Sequence, residues 1–337
     1  ADGRILPNPR FPDMKGLTEY VHGKGLKIGI YSVPGPWTCG GCVGSFDHEF
    51  QDAQQYAEWG FDYLKYDWCS YNPTMEAYRG GNTNWNPAKA PNITYAGGSD
   101  LTKGKLPFKL MQEALAKQSR DILYSLCQYG MGNVWEWGTE VDGNSWRTTQ
   151  DINDSWGSMA NIGFNQAGHE KYAGPGHFND PDMLVIGKLG WGRLRPTKLT
   201  PNEQYSHISL WCLLTSPLLI GCDMTQLDEF TLGLLTNDEV LDVNQDALGR
   251  QAARVAKNDQ LEVWSKDLED GAKAVGLFNR GSGEQTVTAK WSDLGLTGTQ
   301  TVRDLWRQTD LGKFTGQFEI KVGRHGVVLV KLTPANR

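Results

Sequence analysis

Between residues 24 and 67 the chain reads "KGLKIGIYS", then "DHEFQDAQQYAEWG", then "FDYLKYD". The first and third stretches carry strand-like apolar runs, and the middle one has the three-to-four-residue spacing of an amphipathic helix. Strands joined through a helix lie parallel, so this alternation commits the chain to a parallel sheet wrapped by helices. The pattern continues with a helix in "LPFKLMQEALAKQS", a strand in "DILYSLCQ", a short Trp-rich helix at 134–137 and a strand in "SWRTTQD". A helix around Ser158, a strand in "HFNDPDMLVIG", a helix in "NEQYSHISLWCLLT", a strand in "PLLIGCDM", a helix near "LGLLT" and a last strand in "EVLDVNQD" complete it. So many units in one run favour a closed (β/α)8 TIM barrel over an open sheet. The count is about seven strands where the barrel takes eight, and "FPDMKGLTEYVHGKG" reads as a helix that should follow an earlier strand. After "NQDALGRQ" the helical period gives way to short alternating runs split by Gly, Asp and Asn, the pattern of an antiparallel β-sandwich. The expected division is a catalytic barrel over residues 1–250 and a sandwich domain over 251–337.

A length of 337 residues with 39% hydrophobic content accommodates both domains. The formal charge of −6 and the lack of a Lys/Arg run exclude nucleic acid and anionic membrane as partners. No apolar run approaches the roughly 20 residues that cross a bilayer, and "ADGRILPNPR" has no leader character, so a soluble chain with any export signal removed is expected. Among six cysteines, "TCGGC" has the spacing of a metal or redox half-site but no second half. A disulfide involving Cys39 or Cys42 is the favoured reading and suits an oxidising compartment. Asn92-Ile-Thr and Asn153-Asp-Ser are glycosylation sequons.

Chemistry on a barrel sits at the C-terminal ends of its strands. Several strands here end in polar groups: Asp67, Gln128, Asp151, Asp180 with Asp182, Asp223 and Asp246. Alternation puts Lys65 and Asp67 on one face, and it also aligns Arg147, Thr149 and Asp151. Each of the two strands thus sets a cation before an acid. For Asp154, Asp180, Asp223 and Asp246 the favoured reading is a helix cap or a solvated loop residue. Carboxylates facing a pocket rimmed by Tyr31, Trp68, Trp137, Trp146 and Trp156 point to sugar chemistry, since aromatic faces stack on pyranose C–H groups, although each single Trp is equally good core material. A metal-dependent hydrolase using His177, Asp180 and Asp182 is the rival, on a weak ligand set with a Pro inside it. No cofactor and no metal is expected.

"LKYDWC" and "NSWRTTQDINDSW", with "TCGGCVGSF", "HFNDPDMLVIG", "LLTSPLLIGCDM" and "NDEVLDVNQDALGRQ" in order along nearly the whole chain, resemble the family twenty-seven glycoside hydrolases, the α-galactosidases and α-N-acetylgalactosaminidases. The resemblance implies a (β/α)8 barrel followed by a β-sandwich, and hydrolysis of α-galactosides with retention. It implies that Asp67 is the nucleophile and Asp151 the acid/base, that Lys65 and Arg147 bind the sugar, that Asp182 lies near the C2 hydroxyl, and that Cys39 pairs with Cys69 while Cys42 is unmatched. The family selects at C2 with the loop that is "CQYGMG" here; Gln128, Tyr129 and Met131 would crowd an acetamide, so a substrate with a free C2 hydroxyl is expected, and the loop departs from the Glu-Trp commoner in the family's galactosidases. Family members begin with two further strands, the second bearing acids for the C4 and C6 hydroxyls, so the resemblance predicts that the first one or two strands are missing and that the chain is a fragment. The alternatives are a β-L-arabinopyranosidase, an α-N-acetylgalactosaminidase, or a non-catalytic carbohydrate-binding form. Extracellular or periplasmic location is expected, lysosomal or secretory in a eukaryote. The segment 74–105 is expected to be a long loop near the site, and the oligomeric state is not legible.

Overall fold

A computed structural model describes residues 3–72, 101–190 and 193–335. The chain divides into two compact units, residues 1–148 and 149–337. The first runs α1 (Met14–Gly23), β1 (Gly29–Ser32), α2 (Glu49–Trp59), β2 (Tyr63–Asp67), α3 (Leu101–Leu115), β3 (Leu123–Cys127), α4 (Val134–Trp137) and β4 (Ser145–Arg147). The four strands pair in parallel in chain order. Leu64 and Tyr66 of β2 are fully buried in one apolar cluster with Tyr56 of α2 and with Phe108 and Met111 of α3. The Tyr66 ring meets Phe108 edge-on at 5.9 Å. Between α2 and β2 the chain turns at Gly60, whose φ of 93° is open to glycine and costly for a side chain with a Cβ. Asp62, just before β2, accepts bonds from the Ile28 N–H and from Arg120 and lies 2.7 Å from the His22 ring. Burial alone would raise its carboxyl pKa, but these partners hold it well below the ordinary carboxylate range.

The second unit holds α5 (Trp156–Phe164), β5 (Phe178–Asp180), a small hairpin of β6 (Lys188–Leu189) and β7 (Arg195–Pro196), α6 (Pro201–Leu213), α7 (Glu229–Thr236) and α8 (Asp238–Gln245). It then becomes all-β: β8 (Ala253–Asn258), β9 (Leu261–Asp267), β10 (Lys273–Asn279) and β11 (Gln285–Lys290) precede the short α9 (Trp291–Leu294), and β12 (Thr299–Asp304), β13 (Thr309–Thr315), β14 (Gln317–Val322) and β15 (Val327–Pro334) follow. Six strands form an antiparallel sheet in the order β13-β12-β15-β10-β9-β8, and β11 pairs with β14. Val275, Leu277, Val287, Phe318 and Val330 share the apolar layer of these strands. α6 starts on a capping box, with Thr200 and Glu203 exchanging bonds and Pro201 leading the helix.

Four expectations change. "EVLDVNQD" is helical in α8: Asn237 caps it by accepting from the Val240 N–H, Asp238 and Glu239 suit its N-terminal dipole, and Val240 and Val243 are buried three residues apart. "PLLIGCDM" forms no strand, only a single parallel bridge between Leu184 and Ile220. The strand in "SWRTTQD" stops at Arg147, so Thr149 and Asp151 are not carried in register with it. Residues 101–105, expected in the loop, belong to α3; the rest of that loop, with the Asn92 sequon, lies outside the described residues.

Asp52 of α2 is only 1% exposed, its carboxyl oxygens have no hydrogen-bond partner among the described residues, and burial pushes its pKa to about 7. Between the unfolded value of about 4 and the folded value of about 7 the native chain keeps a proton that the unfolded chain has lost. The unfolding free energy should therefore fall as pH rises through that window, by up to about 1.4 kcal/mol per pH unit. Denaturant titrations across the window should show this slope in the wild type and its loss in Asp52→Asn.

Candidate active site

Strand alternation decides which way Asp67 faces. Leu64 and Tyr66 fill the layer under α2 and α3, so Lys65 and Asp67 project from the opposite face, and Asp67 ends the strand. Both its oxygens are held. Oδ1 accepts the Trp68 N–H at 2.7 Å, and Oδ2 accepts the Tyr31 hydroxyl at 2.6 Å. Tyr31 comes from β1, in register with Lys65. Burial first, and then the Asp67 carboxylate, raise the Tyr31 pKa well above that of a free phenol, so the hydroxyl stays a donor. Tyr31 Oη also lies 3.3 Å from Cys69 Sγ. Cys69 is bonded to Cys39, with 5.4 Å between the Cα atoms, which ties the loop after β1 to the end of β2. The pairing is the one the resemblance implies, and Cys42 is left as an exposed thiol.

Lys65 shares the face of Asp67 through strand spacing, but no ion pair joins them among the described residues; the direct partners of the carboxylate are a hydroxyl and a peptide N–H. Trp68 is buried and stacks on Phe108 at 5.8 Å. Trp146 and Trp137 are buried in the same cluster, so three of the five proposed rim aromatics are core; Tyr31 is the one in this unit that stays 38% exposed. Gln128, one residue beyond β3, is 1% exposed, and neither amide atom finds a partner among the described residues. The next residue, Tyr129, has a φ of 60°, a strained conformation for a residue with a side chain, and its ring lies 5.7 Å from the Arg147 guanidinium carbon. The resemblance marked this loop as the one that selects at C2, but not its backbone, in which Gly130 and Gly132 are also at positive φ.

In the second unit Asp151 is exposed in a segment without regular structure. The backbone next to it is fixed by Asp182, which is buried at a φ of 84°. Asp182 Oδ2 accepts the Ile152 N–H at 2.9 Å, and Oδ1 accepts the Met183 N–H at 2.8 Å. Asp182 N–H donates to Asp180 at 2.8 Å, and the Asp182 carbonyl accepts Trp211 Nε1 at 2.7 Å. Sequence reasoning marked Asp182 as a sugar contact and missed this brace; its signal was two acids two residues apart around a Pro. Asp154 is structural, paired with Arg195 through both oxygens and capped by the Lys198 N–H. Asp223 caps the turn at Thr225, and Asp246 accepts from the Leu248 and Glu269 N–H groups. Trp156, the fifth expected rim residue, stacks on His325 at 4.1 Å. The one triad of metal-type side chains brought together among the described residues is Cys39, Asp67 and Cys69, and its two sulfurs are already bonded to each other, so that donor set does not fit a metal ion.

Two family models account for most of the chain: one described as alpha galactosidase A matches residues 1–97 and 92–246, and one described as the alpha galactosidase C-terminal beta sandwich domain matches 258–332. The chain belongs to the α-galactosidase (melibiase) family of glycoside hydrolases. It is 42% identical to an α-galactosidase of Coffea arabica over 99% of its own length and 80% of the relative, and 40% identical to one of Cyamopsis tetragonoloba over 99% and 74%. The crystal structure of α-galactosidase I from Mortierella vinacea matches 95% of the chain and 80% of that protein with a TM-score of 0.79 at 30% identity. The fold is therefore the α-galactosidase one, a parallel-strand barrel followed by an antiparallel β-sandwich.

For this family member, Tyr31→Phe removes one of the two bonds on Asp67. A hydrogen bond to a charged group is worth about 1.5–3 kcal/mol, so kcat/KM on an aryl α-galactoside should fall about 10- to 100-fold. Circular dichroism and the thermal midpoint should stay near wild type.

Proposed function

We propose that the chain is a retaining, exo-acting α-galactosidase that removes terminal α-D-galactosyl residues from oligo- or polysaccharides. The observation that carries this reading is Asp67: a carboxylate at the end of a parallel strand, oriented through both oxygens, inside the family segment "LKYDWC". In the first step Asp67 attacks the anomeric carbon while Asp151 gives a proton to the departing oxygen, leaving a galactosyl ester on Asp67. In the second step Asp151 takes a proton from water, which displaces the ester and releases galactose in the α configuration. A retaining mechanism asks for carboxyl groups about 5–5.5 Å apart, one ionised and one protonated at the start.

Lys65 and Arg147 are assigned to sugar hydroxyls, as cations on strand ends. Asp182 would serve twice, towards the C2 hydroxyl and as the brace on Ile152. Gln128 brings an amide without a described partner to the same task; such a group pays least when a substrate hydroxyl completes its bonds. Tyr129 and Met131 beside it leave little room for a C2 acetamide, which favours galactose over N-acetylgalactosamine. The barrel is assigned to 1–250 and the sandwich to 251–337, in line with the extents of the two matched models. Among the described residues no helix is long and apolar enough to cross a membrane, and the Cys39–Cys69 bond suits an extracellular or periplasmic setting.

Proton NMR during hydrolysis of an aryl α-galactoside should show α-galactose before mutarotation; β-galactose first would refute retention. Asp151→Asn should lose about 10²–10⁴ in rate, with the smaller losses on aryl substrates whose leaving groups need no proton, and Asp67→Asn should lose at least as much on every substrate. An aryl α-N-acetylgalactosaminide should be turned over at least about 100-fold more slowly than the galactoside; equal rates would overturn the assignment of the 128–131 turn.

A further inference from the structure

The feature that this mechanism leaves unused is Cys42. It lies in "TCGGC" as an exposed thiol three residues from Cys39, whose disulfide partner, Cys69, sits against the Asp67–Tyr31 pair. The backbone already folds residues 38–42 into a closed turn. The Thr38 N–H donates to the Cys42 carbonyl at 2.8 Å, Gly41 N–H to the Thr38 carbonyl at 2.9 Å, and Cys42 N–H to Thr38 Oγ1 at 2.9 Å. An isolated antiparallel bridge between Trp37 and Val43 closes its base. The turn stands in open space: a Cβ on Gly41 would meet nothing within 4 Å, and one on Gly40 only Thr38 Oγ1 at 3.9 Å. Two glycines with so little packed around them let the turn change shape at little packing cost. A Cys-X-X-Cys spacing is also the one found in thiol–disulfide redox motifs.

We propose that Cys42 serves an internal thiol–disulfide exchange that moves the bond from Cys39–Cys69 to Cys39–Cys42 and thereby switches the active site off. The Cys42 thiolate attacks Cys39 Sγ along the existing bond. A Cys39–Cys42 bond forms, the Cys39–Cys69 bond breaks, and its electron pair leaves on Cys69 Sγ. The proton released from Cys42 balances the one Cys69 can take up, so the step is an isomerisation that requires neither oxidant nor reductant. Its consequence lies one contact away. Cys69 Sγ and an oxygen of Asp67 are within 4.8 Å, and Tyr31 Oη touches both residues. The freed Cys69 sulfur competes for the Tyr31 hydroxyl, in its thiolate form it also places a second negative charge next to the carboxylate, and in either form the loop after β1 loses its tie to β2. The loss of turnover, though not the exchange, rests on the reading of Asp67 as the nucleophile.

The test is disulfide mapping paired with activity. Wild type and Cys42→Ser are incubated without added thiol at about pH 6 and at about pH 9, on either side of the free-thiol value of about 8.5. They are quenched in acid, labelled at the free cysteines and mapped by peptide mass spectrometry, and parallel samples are diluted into one common assay. In the wild type, incubation at the higher pH should move label from Cys42 to Cys69, with a fractional loss of activity equal to the fraction moved. Cys42→Ser should keep the Cys39–Cys69 bond and its full activity throughout. Label that stays on Cys42 overturns the exchange, and label on Cys69 with unchanged activity overturns the switch. Because mapping needs no turnover, an Asp67→Asn variant that stayed active would refute the nucleophile without touching the exchange result.

Discussion

Burying Leu64 and Tyr66 of β2 under α2 and α3 is the constraint from which the geometry around Asp67 follows. Leu64 contributes about 1.5–3 kcal/mol on leaving water, and the Tyr66 ring adds its apolar area. A register slip of one residue would exchange these gains for the burial of Lys65 and of a misdirected Asp67. The apolar face therefore fixes the polar one. Once the strand is seated, its parallel neighbour β1 brings Tyr31 to the carboxylate, the Trp68 N–H closes the other oxygen, and Cys69, two residues on, anchors the loop that follows β1. Orientation here comes from hydrogen bonds at short range more than from a cation: Lys65 lies on the same face without pairing to Asp67.

The second unit solves a related problem without a strand. Asp151 sits in irregular chain, where nothing periodic holds it, and the adjoining peptide is pinned by a buried carboxylate whose two oxygens accept two backbone N–H groups. Asp182 can do this because its own backbone takes a left-handed conformation, paid for by bonds to Asp180 and Trp211. A second brace links the later strands to the helices of the same unit. His325 stacks on Trp156 of α5 and lies 2.6 Å from Glu203 of α6, whose carboxyl is held below its ordinary value by His325 and the Thr200 N–H although burial opposes this. The sandwich strands thus help to position the helix that follows Asp151.

Much of this was legible in the sequence where a single periodicity governed it. α2 and β2 each bury one face, β3 and α6 are buried on nearly all sides, and the positions of all four match the expectation closely. The errors fall where a local signal and a periodic one compete. In "NDEVLDVNQD" a strand was expected after the preceding helix, but the Asn237 cap and an acidic first turn win. In "SWRTTQD" alternation was extended four residues past the point where pairing ends. Side-chain roles were read less well than side-chain identities. Trp68, Trp137 and Trp146 are attractive as sugar platforms by composition, yet their large apolar area is spent in the core. Tyr31 and Asp182 were picked as sugar contacts, while their contacts to Asp67 and to Ile152 depend on tertiary placement that no spacing rule encodes.

The central claim is that Asp67 becomes covalently bound to galactose during turnover. A fluorinated α-galactosyl substrate that forms the ester quickly and hydrolyses slowly, followed by peptide mass mapping, tests it directly. The account predicts one galactosyl adduct per chain, on the peptide containing Asp67, with inactivation in step with labelling. A label on another carboxylate, or steady turnover of the fluorinated substrate with no adduct at all, would contradict it.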